Sequence, residues 1–256
     1  MVAMRTWAWV GAALLVLSAC DKEAAQGGPG GAAGQTAASS EAPKAEAPKA
    51  PEPPRAPAIT VDDHGCTIDG TAFTTAPAEW RDRASTLLLG KPLVQGEAVV
   101  VNVMRDAKAP KVEAILSALA HAKAKSVIVR TPTRDQSSGE LTLTLEHGAI
   151  PDCSVVAMLE HDGTVAVWSK AGAGAQRFAR GMAGPDLTSA NDALRKHAAS
   201  CDSPAWFLAA ADSVPWGLAF DLAMRANAAD AGAKLRPTEA ILLTHPATPG
   251  RRITDE

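Results

Sequence analysis

Two aspartates each follow an apolar stretch and precede a proline. Asp212 ends "FLAAAD" three residues before Pro215, and Asp106 follows "VVVNVMR" four residues before Pro110. If these stretches are buried strands, their carboxyl ends are where open sheets place binding groups. Alternatively, the carboxylates cap the following helices by accepting backbone N–H groups near the positive helix end. We favour capping, and we keep Asp106 and Asp212 as candidate partner contacts.

Three further side chains are candidates for contact with a partner. Trp216 directly follows Pro215 and either anchors a partner or covers a thin core; in so alanine-rich a chain we favour the core. Arg177 and Arg180 lie in the glycine-rich stretch 170–185, which is typical of a mobile surface loop. There the two guanidinium groups could meet an anionic glycan or a protein partner.

The sequence contains no recognisable catalytic or metal-binding motif. G-x-S-x-G, S-x-x-K, H-E-x-x-H and C-x-x-C are all missing, and no two histidines are spaced four apart along a predicted helix. A hydrolase site assembled from Asp152, His161 and Asp162 is one alternative. We predict instead that the protein is not an enzyme, needs no cofactor and binds no metal.

The first twenty residues resemble a bacterial lipoprotein signal peptide. Arg5 precedes the apolar run "WAWVGAALLVLSA", which at about thirteen residues is short for a membrane span. "LSAC" then matches a lipobox, whose cysteine becomes the new N-terminus and carries acyl chains such as palmitate. We therefore predict a signal peptide over 1–19 and lipidation of Cys20, which anchors the protein in a membrane.

Residues 20–57 have the composition of a disordered tether. The stretch "EAPKAEAPKAPEPPRAP" is rich in Ala, Pro, Lys and Glu and cannot form a core. Fully extended, residues 20–57 reach on the order of 120 Å. The predicted location is the bacterial cell envelope, on a membrane and facing the periplasm, with the inner and the outer membrane both open. The net charge of −3 gives no reason to expect nucleic acid as a partner.

Three cysteines remain after lipidation, so one disulfide is expected in an oxidising compartment. Cys153 and Cys201 fall in the same half of the chain, and we favour that pair over a bond from either residue to Cys66.

The remainder of the chain repeats one pattern twice. Strand, strand, helix, strand, helix and strand follow one another in 58–147 and again in 148–250, and "VIVRTP" matches "ILLTHP". We predict an α+β protein with two tandem ββαβαβ units, each a mixed sheet with two helices packed on one face. "ELTLTLEHG" could add an edge strand between them, and 251–256 is expected to be a disordered tail.

The stretch "FLAAADSVPWGLAFDLAMRANAADAG…EAILLT" resembles the periplasmic domain of the ExbD/TolR biopolymer-transport family. In that family a strand ends in an aspartate, a helix opens around a proline and a "V-x-L-x-T" strand follows. The first copy, "VVVNVMRDAKAPKVEAILSALAHAKAKSVIVRT", has one extra residue between Asp106 and Pro110. The resemblance implies two such domains in tandem, with roles in contacting cell wall or envelope proteins.

One departure from the family limits what the resemblance implies. Family members carry a proton-handling aspartate in an N-terminal membrane helix, whereas the apolar N-terminal run of this chain has no acidic residue. Proton-driven work therefore does not carry over. We predict a lipid-anchored, non-catalytic interaction module that contacts peptidoglycan or a protein of an envelope transport complex. A lipoprotein that binds a small ligand between the two units is the main alternative.

Overall fold

A computed structural model describes residues 55–73, 77–91, 93–172, 174–228, 238–245 and 247–254. The predicted signal peptide, Cys20 and the tether up to residue 54 lie outside the described residues. Within these ranges the chain forms eleven strands and four helices. In chain order they are β1 (Ile59–Val61), β2 (Cys66–Ile68), β3 (Thr71–Phe73), α1 (Pro77–Leu89), β4 (Ala98–Val103), α2 (Ala109–His121), β5 (Ser126–Pro132), β6 (Ser138–Thr144), β7 (Val155–Leu159), β8 (Val165–Ser169), β9 (Gln176–Phe178), α3 (Leu187–Ala199), β10 (Ala205–Ala210), α4 (Trp216–Asn227) and β11 (Glu239–Leu242).

All eleven strands belong to one mixed sheet, in the order β3-β2-β1-β4-β5-β6-β11-β10-β7-β8-β9. The β1–β4, β4–β5, β7–β10 and β10–β11 pairs are parallel, and the hairpin pairs are antiparallel. The α+β class is confirmed. The predicted edge strand, β6, instead lies in the middle of the sheet, because its free side pairs in parallel with β11 through Leu143 and Ala240.

The main hydrophobic core lies between the sheet and the four helices. Alternate strand residues such as Val99, Val101 and Val103 are buried, as expected for a sheet with one covered face. Helix α2 meets them with Val112 and Ile115, part of an apolar stripe at helical spacing. Large aromatic side chains fill the volume that the many alanines leave, since Trp80, Trp206 and Trp216 are all fully buried in this core.

A second, smaller core covers the opposite face of the sheet beneath β7, β8, β10 and β11. Residues 247–254 lie across it, and Ile253 is only 3% exposed. The indole N–H of Trp168 donates to the carbonyl of Arg251 over 2.9 Å, and the N–H of Ile253 donates to the carbonyl of Lys170. The predicted disordered tail over 251–256 is therefore wrong for 251–254, because this segment buries apolar surface that would otherwise face water.

The glycine-rich stretch 170–185 is not a simple loop. Its middle forms β9, which pairs antiparallel with β8 at the edge of the sheet and carries Arg177. The rest returns to α3, whose first turn is capped by Asp186 through a hydrogen bond from the N–H of Ser189 over 3.0 Å. Arg177 is thus held in a strand, whereas Arg180 lies in the connection that follows.

The structure joins Cys153 to Cys201, the pair that the sequence analysis favoured, and leaves Cys66 as a buried free thiol. The disulfide joins the segment that precedes β7 to the segment that follows α3.

We expect Cys66 to resist alkylation in the folded protein. Burial, together with the nearby charge of Asp62, raises the pKa of its thiol to about 12. At pH 8 the reactive thiolate is then on the order of one part in ten thousand of the thiol. Mass spectrometry after iodoacetamide treatment of a Cys20→Ser variant, with the disulfide intact, should show modification only in denaturant. Rapid modification of the native protein would contradict this prediction.

Candidate functional site

The two strand-to-helix junctions meet each other at the carboxyl end of the parallel strands. Lys108 and Pro215, the residues that precede α2 and α4, form an isolated antiparallel bridge. The N–H of Trp216 donates to the carbonyl of Ala107 over 2.7 Å, and the N–H of Ala109 donates to the carbonyl of Val214 over 3.3 Å. Both halves of the chain therefore contribute backbone to one site.

Asp106 and Asp212 lie at this edge but occupy different positions in their junctions. The N–H of Met104 donates to β1 at Val61, and the N–H of Ala211 donates to β7 at Leu159, both over 2.8 Å. Counted from these bonds, Asp212 takes the position of Arg105, and Asp106 that of Ser213. The aspartate followed by a proline in both junctions is therefore not a repeated structural feature.

The prediction that the two aspartates cap helices is wrong. The N-cap residues are Lys108 and Pro215, neither with a side-chain capping bond. A turn lies between each strand end and its helix, closed by a bond from Ala107 to Met104 and from Val214 to Ala211. This turn places both carboxylates before the helix, exposed to solvent.

Trp216 is not a surface anchor, so the prediction that it contacts a partner is wrong. Its side chain is 1% exposed, and its indole N–H donates to the hydroxyl of Thr131 over 2.9 Å. Because the first turn of α4 lies over β5, the ring covers the core between the two halves, as the favoured alternative held.

An ion-pair network connects the two halves beside this ring. Arg105 donates to both carboxylate oxygens of Asp221, over 3.0 and 2.8 Å, and also to the carbonyls of Pro132 and Gly217. Arg134 adds a bond from Nε to Asp221 over 2.8 Å. Gly217 permits this approach, since a Cβ there would lie 2.9 Å from the Cβ of Arg105.

The charge state of Asp221 follows from these contacts. Burial by itself raises the pKa of this carboxyl group, but hydrogen bonds from Arg105 and Arg134 outweigh it and hold the pKa below its usual range. Asp221 is therefore ionised at neutral pH. Nothing in the sequence indicates the pair, because 116 residues separate Arg105 from Asp221.

A cavity of about 390 Å³, which we call the basic cleft, opens next to this network. Its polar side chains are those of Arg134, Glu160, His161, Arg180 and Ser213. Leu159, Val214, Pro215 and Leu218 supply much of its apolar surface. The sequence analysis singled out Arg180 but not Arg134, Ser213 or Leu218, which come from separate parts of the chain.

Arg177 lies beside the basic cleft rather than in it. Its Nε donates to the carboxylate of Glu160 over 2.9 Å. Glu160 thus has a cation of its own, whereas no carboxylate in the described part of the chain pairs with Arg180. Of the two arginines proposed from sequence, Arg180 is the one available for an added anion.

A second cavity of about 440 Å³ adjoins the basic cleft, since Pro215 and Leu218 line both. Asp63, Asp106 and Lys108 give this neighbour a mixed charge. Asp106 thus lines a cavity next to the basic cleft. Asp212 is exposed on the adjacent turn and lines neither cavity.

The hydrolase site suggested by Asp152, His161 and Asp162 does not assemble. Asp152 precedes β7 and pairs with Arg252, whereas His161 follows the same strand at its other end. The carboxylate of Asp162 accepts the N–H of Thr164 within its own turn. His161 instead contacts Ser213, with 2.8 Å between Nδ1 and the hydroxyl oxygen. The first turn of α4 forms no oxyanion hole for Ser213, because the N–H groups of Trp216, Gly217 and Leu218 already donate to backbone carbonyls.

Glu113 on α2 is a half-buried carboxyl group near the turn of Asp212. Burial, and then the negative charge of Asp212, raise its pKa from 4.5 to about 7. No cation pairs with it among the residues that the structure describes. An acid with a raised pKa binds more protons in the folded than in the unfolded state between these two values, so stability falls as pH rises through this window.

We expect the free energy of unfolding to decrease by about 2 kcal/mol between pH 4.5 and 7.5 because of Glu113. This value is smaller than the full shift at about 1.36 kcal/mol per pKa unit, because the carboxyl group is partly exposed to solvent. Glu113→Gln should remove this decrease, and Glu79→Gln, at the exposed start of α1, should not. Urea unfolding at several pH values measures the effect. An unchanged pH profile in the Glu113 variant would contradict it.

Nowhere in the described ranges do three or more His, Cys, Asp or Glu side chains come together in a way that could hold a metal ion. The helices of this part of the chain include none long and apolar enough to cross a membrane. No protein-family profile matches the sequence, and neither curated proteins nor solved structures match it.

Proposed function

We propose that this protein is a lipid-anchored component of the bacterial cell envelope whose folded part binds a partner without chemical catalysis. The lipobox at Leu17–Cys20 supports the anchor, and the tether up to residue 57 supports a body held away from the membrane. The partner is cell wall or a protein of an envelope transport complex. The resemblance of both halves to the ExbD/TolR periplasmic domain supports that choice.

We further propose that the folded part consists of two tandem units that follow the predicted ββαβαβ order with one added strand each before the first helix, β3 in the first unit and β9 in the second. The strand order supports this, because β3-β2-β1-β4-β5 runs inward from one edge and β9-β8-β7-β10-β11 runs inward from the other. Corresponding pairs have the same direction in both series. The reciprocal bonds at Lys108 and Pro215 lie where such units would be related by two-fold symmetry.

The observation that carries the binding role is the composition of the basic cleft. Arg180 lies there without a carboxylate partner in the described chain, next to apolar Val214, Pro215 and Leu218. An unpaired guanidinium beside apolar surface is a binding group that is desolvated at low cost when an anionic partner arrives.

Two experiments test the proposal. Labelling with radioactive palmitate should mark the wild-type protein and not a Cys20→Ser variant.

The purified lipoprotein should retain peptidoglycan sacculi or a specific envelope protein, and Arg180→Glu should weaken retention at least tenfold. The matched control is Arg130→Glu, since Arg130 pairs with Glu140 on the uncovered sheet face. No specific retention from either source would reject the binding role.

A second candidate, a lipoprotein that binds a small ligand, is favoured by the size of the same cavity. A volume of about 390 Å³ falls within the range of small-molecule sites. This function predicts a rise in melting temperature with one class of metabolite and no retention of envelope macromolecules. A thermal-shift screen against metabolite classes separates it from the first.

A further inference from the structure

We propose that the basic cleft binds a carboxylate attached to a small apolar group, as at the C-terminus of a peptide. This inference rests on the proposed binding function and names the chemical class that the cleft selects. It is carried by a cavity whose lining combines hydrogen-bond donors with apolar side chains.

The two guanidinium groups are placed to donate into the cavity. The stem of Arg180 lies across the β7–β8 turn, where a Cβ added to Gly163 would be 3.0 Å from its Cδ. Arg134 is fixed by its Nε bond to Asp221, and its terminal nitrogens have no protein partner in the described part of the chain. A planar guanidinium presents parallel N–H groups that match the two oxygens of a carboxylate.

His161 and Ser213 add a further donor. In the neutral tautomer whose Nδ1 accepts from the Ser213 hydroxyl over 2.8 Å, the hydrogen is on Nε2. This N–H is free to donate to an anion. A serine hydroxyl that donates to Nδ1 in this way orients the imidazole, a positioning role that requires no nucleophilic step.

The charge of the lining favours a singly charged group. Arg134 bonds Asp221 and Glu160 bonds Arg177, so Arg180 is the cation of the lining that has no carboxylate partner in the described chain. A carboxylate balances that charge, whereas a phosphate with two negative charges exceeds it. Glu160 is also held by Arg177, which keeps its carboxylate from closing onto Arg180.

The apolar residues of the lining fit a small apolar group. Val214 is buried, and Pro215 and Leu218 are half-buried, so the three offer apolar surface in the cleft. Because Pro215 and Leu218 also line the neighbouring cavity of about 440 Å³, a longer peptide can leave the cleft along them. The ligand class is therefore a peptide end rather than a free inorganic ion.

The test is an NMR titration of the full-length lipoprotein in detergent micelles with acetyl-Ala-Ala-Ala and with its C-terminal amide. We expect the acid to bind at least tenfold more tightly than the amide, with shifts at Leu218 and Ser213. Arg180→Gln should weaken binding of the acid at least tenfold, and Arg130→Gln should leave it unchanged. Arg180 and Arg130 are both exposed, so neither variant threatens the fold.

Equal affinity for acid and amide, or wild-type affinity in Arg180→Gln, would overturn the inference. Inorganic phosphate that displaces the peptide at lower concentration than acetate does would also overturn it, because the site would then prefer phosphate. If envelope partners are retained but excess acetyl-Ala-Ala-Ala does not compete, this inference fails and the proposed function stands. If the peptide acid binds as expected and no envelope partner is retained, the proposed function fails and the ligand class stands.

Discussion

Asp221→Ala is expected to lower the free energy of unfolding by about 4 kcal/mol, within the range for removing one partner of a buried ion pair. The carboxylate is only 13% exposed and accepts three hydrogen bonds from Arg105 and Arg134. Its removal leaves the guanidinium of Arg105 partly buried and without its anion. Urea unfolding followed by tryptophan fluorescence measures the loss, because Trp216 lies buried beside the network.

The control is Glu140→Ala, which removes the anion from an ion pair with Arg130 whose two side chains are about half exposed. Such a surface pair contributes about 0–1 kcal/mol, so the control should change stability little. Replacing both Arg105 and Asp221, by Met and Leu, should cost less than Asp221→Ala alone, because no unpaired charge remains. Equal losses for Asp221→Ala and Glu140→Ala would show that the network does not hold the halves together.

The network should also make the free energy of unfolding depend on pH in the acid range. The pKa of Asp221 in the folded state lies below its ordinary value. A depressed carboxyl pKa contributes stability above the unfolded-state pKa, and the contribution is lost as pH falls through the folded value. Asp221→Asn should therefore flatten the acid limb of the stability curve. This limb is opposite in sign to the effect of Glu113, which acts as pH rises.

Removal of the Cys153–Cys201 disulfide should cost a similar amount. For a loop of 48 residues, loss of chain entropy in the unfolded state corresponds to about 4 kcal/mol. The bond ties the start of β7 to the end of α3. Its loss therefore gives the segment between them more conformational freedom in the unfolded chain, while the folded chain is little changed. The variant Cys153→Ala/Cys201→Ala should show this loss in urea unfolding.

Wild-type protein treated with a reductant serves as the matched comparison and should lose the same free energy. Cys66→Ala tests for a general effect of removing sulfur; its cost should come from lost packing of a buried side chain and should be unchanged by reductant. A loss below about 1 kcal/mol in the double variant would contradict the entropic argument.

Much of the architecture could be predicted from local pattern. The α2 and α4 helices follow apolar residues at helical spacing, and β7 and β8 flank the Asp162-Gly163 turn. The position of β6 could not be predicted, because an alternating strand reads the same at an edge or in the middle of a sheet. Its place depends on β11, almost a hundred residues away in the chain.

The candidate site was only partly predictable from the sequence. Arg180 and Asp106 were proposed and do line the paired cavities, but Trp216 was also a candidate and is buried. A tryptophan after a proline gives no sign of which way its ring points, since that depends on the residues packed over it. Thr131, its hydrogen-bond partner, lies 85 residues earlier.

The sequence by itself determined what depends on neighbours along the chain: the four helices, most of the strands, the Asp162-Gly163 turn and the α+β class. The lipobox and the tether remain predictions. The tertiary structure decided which distant groups meet. Arg105 reaches Asp221, Ser213 reaches His161, and residues 251–254 cover a sheet face. The physical reason is that hydrogen bonds and burial act through space, whereas a sequence pattern records only spacing along the backbone.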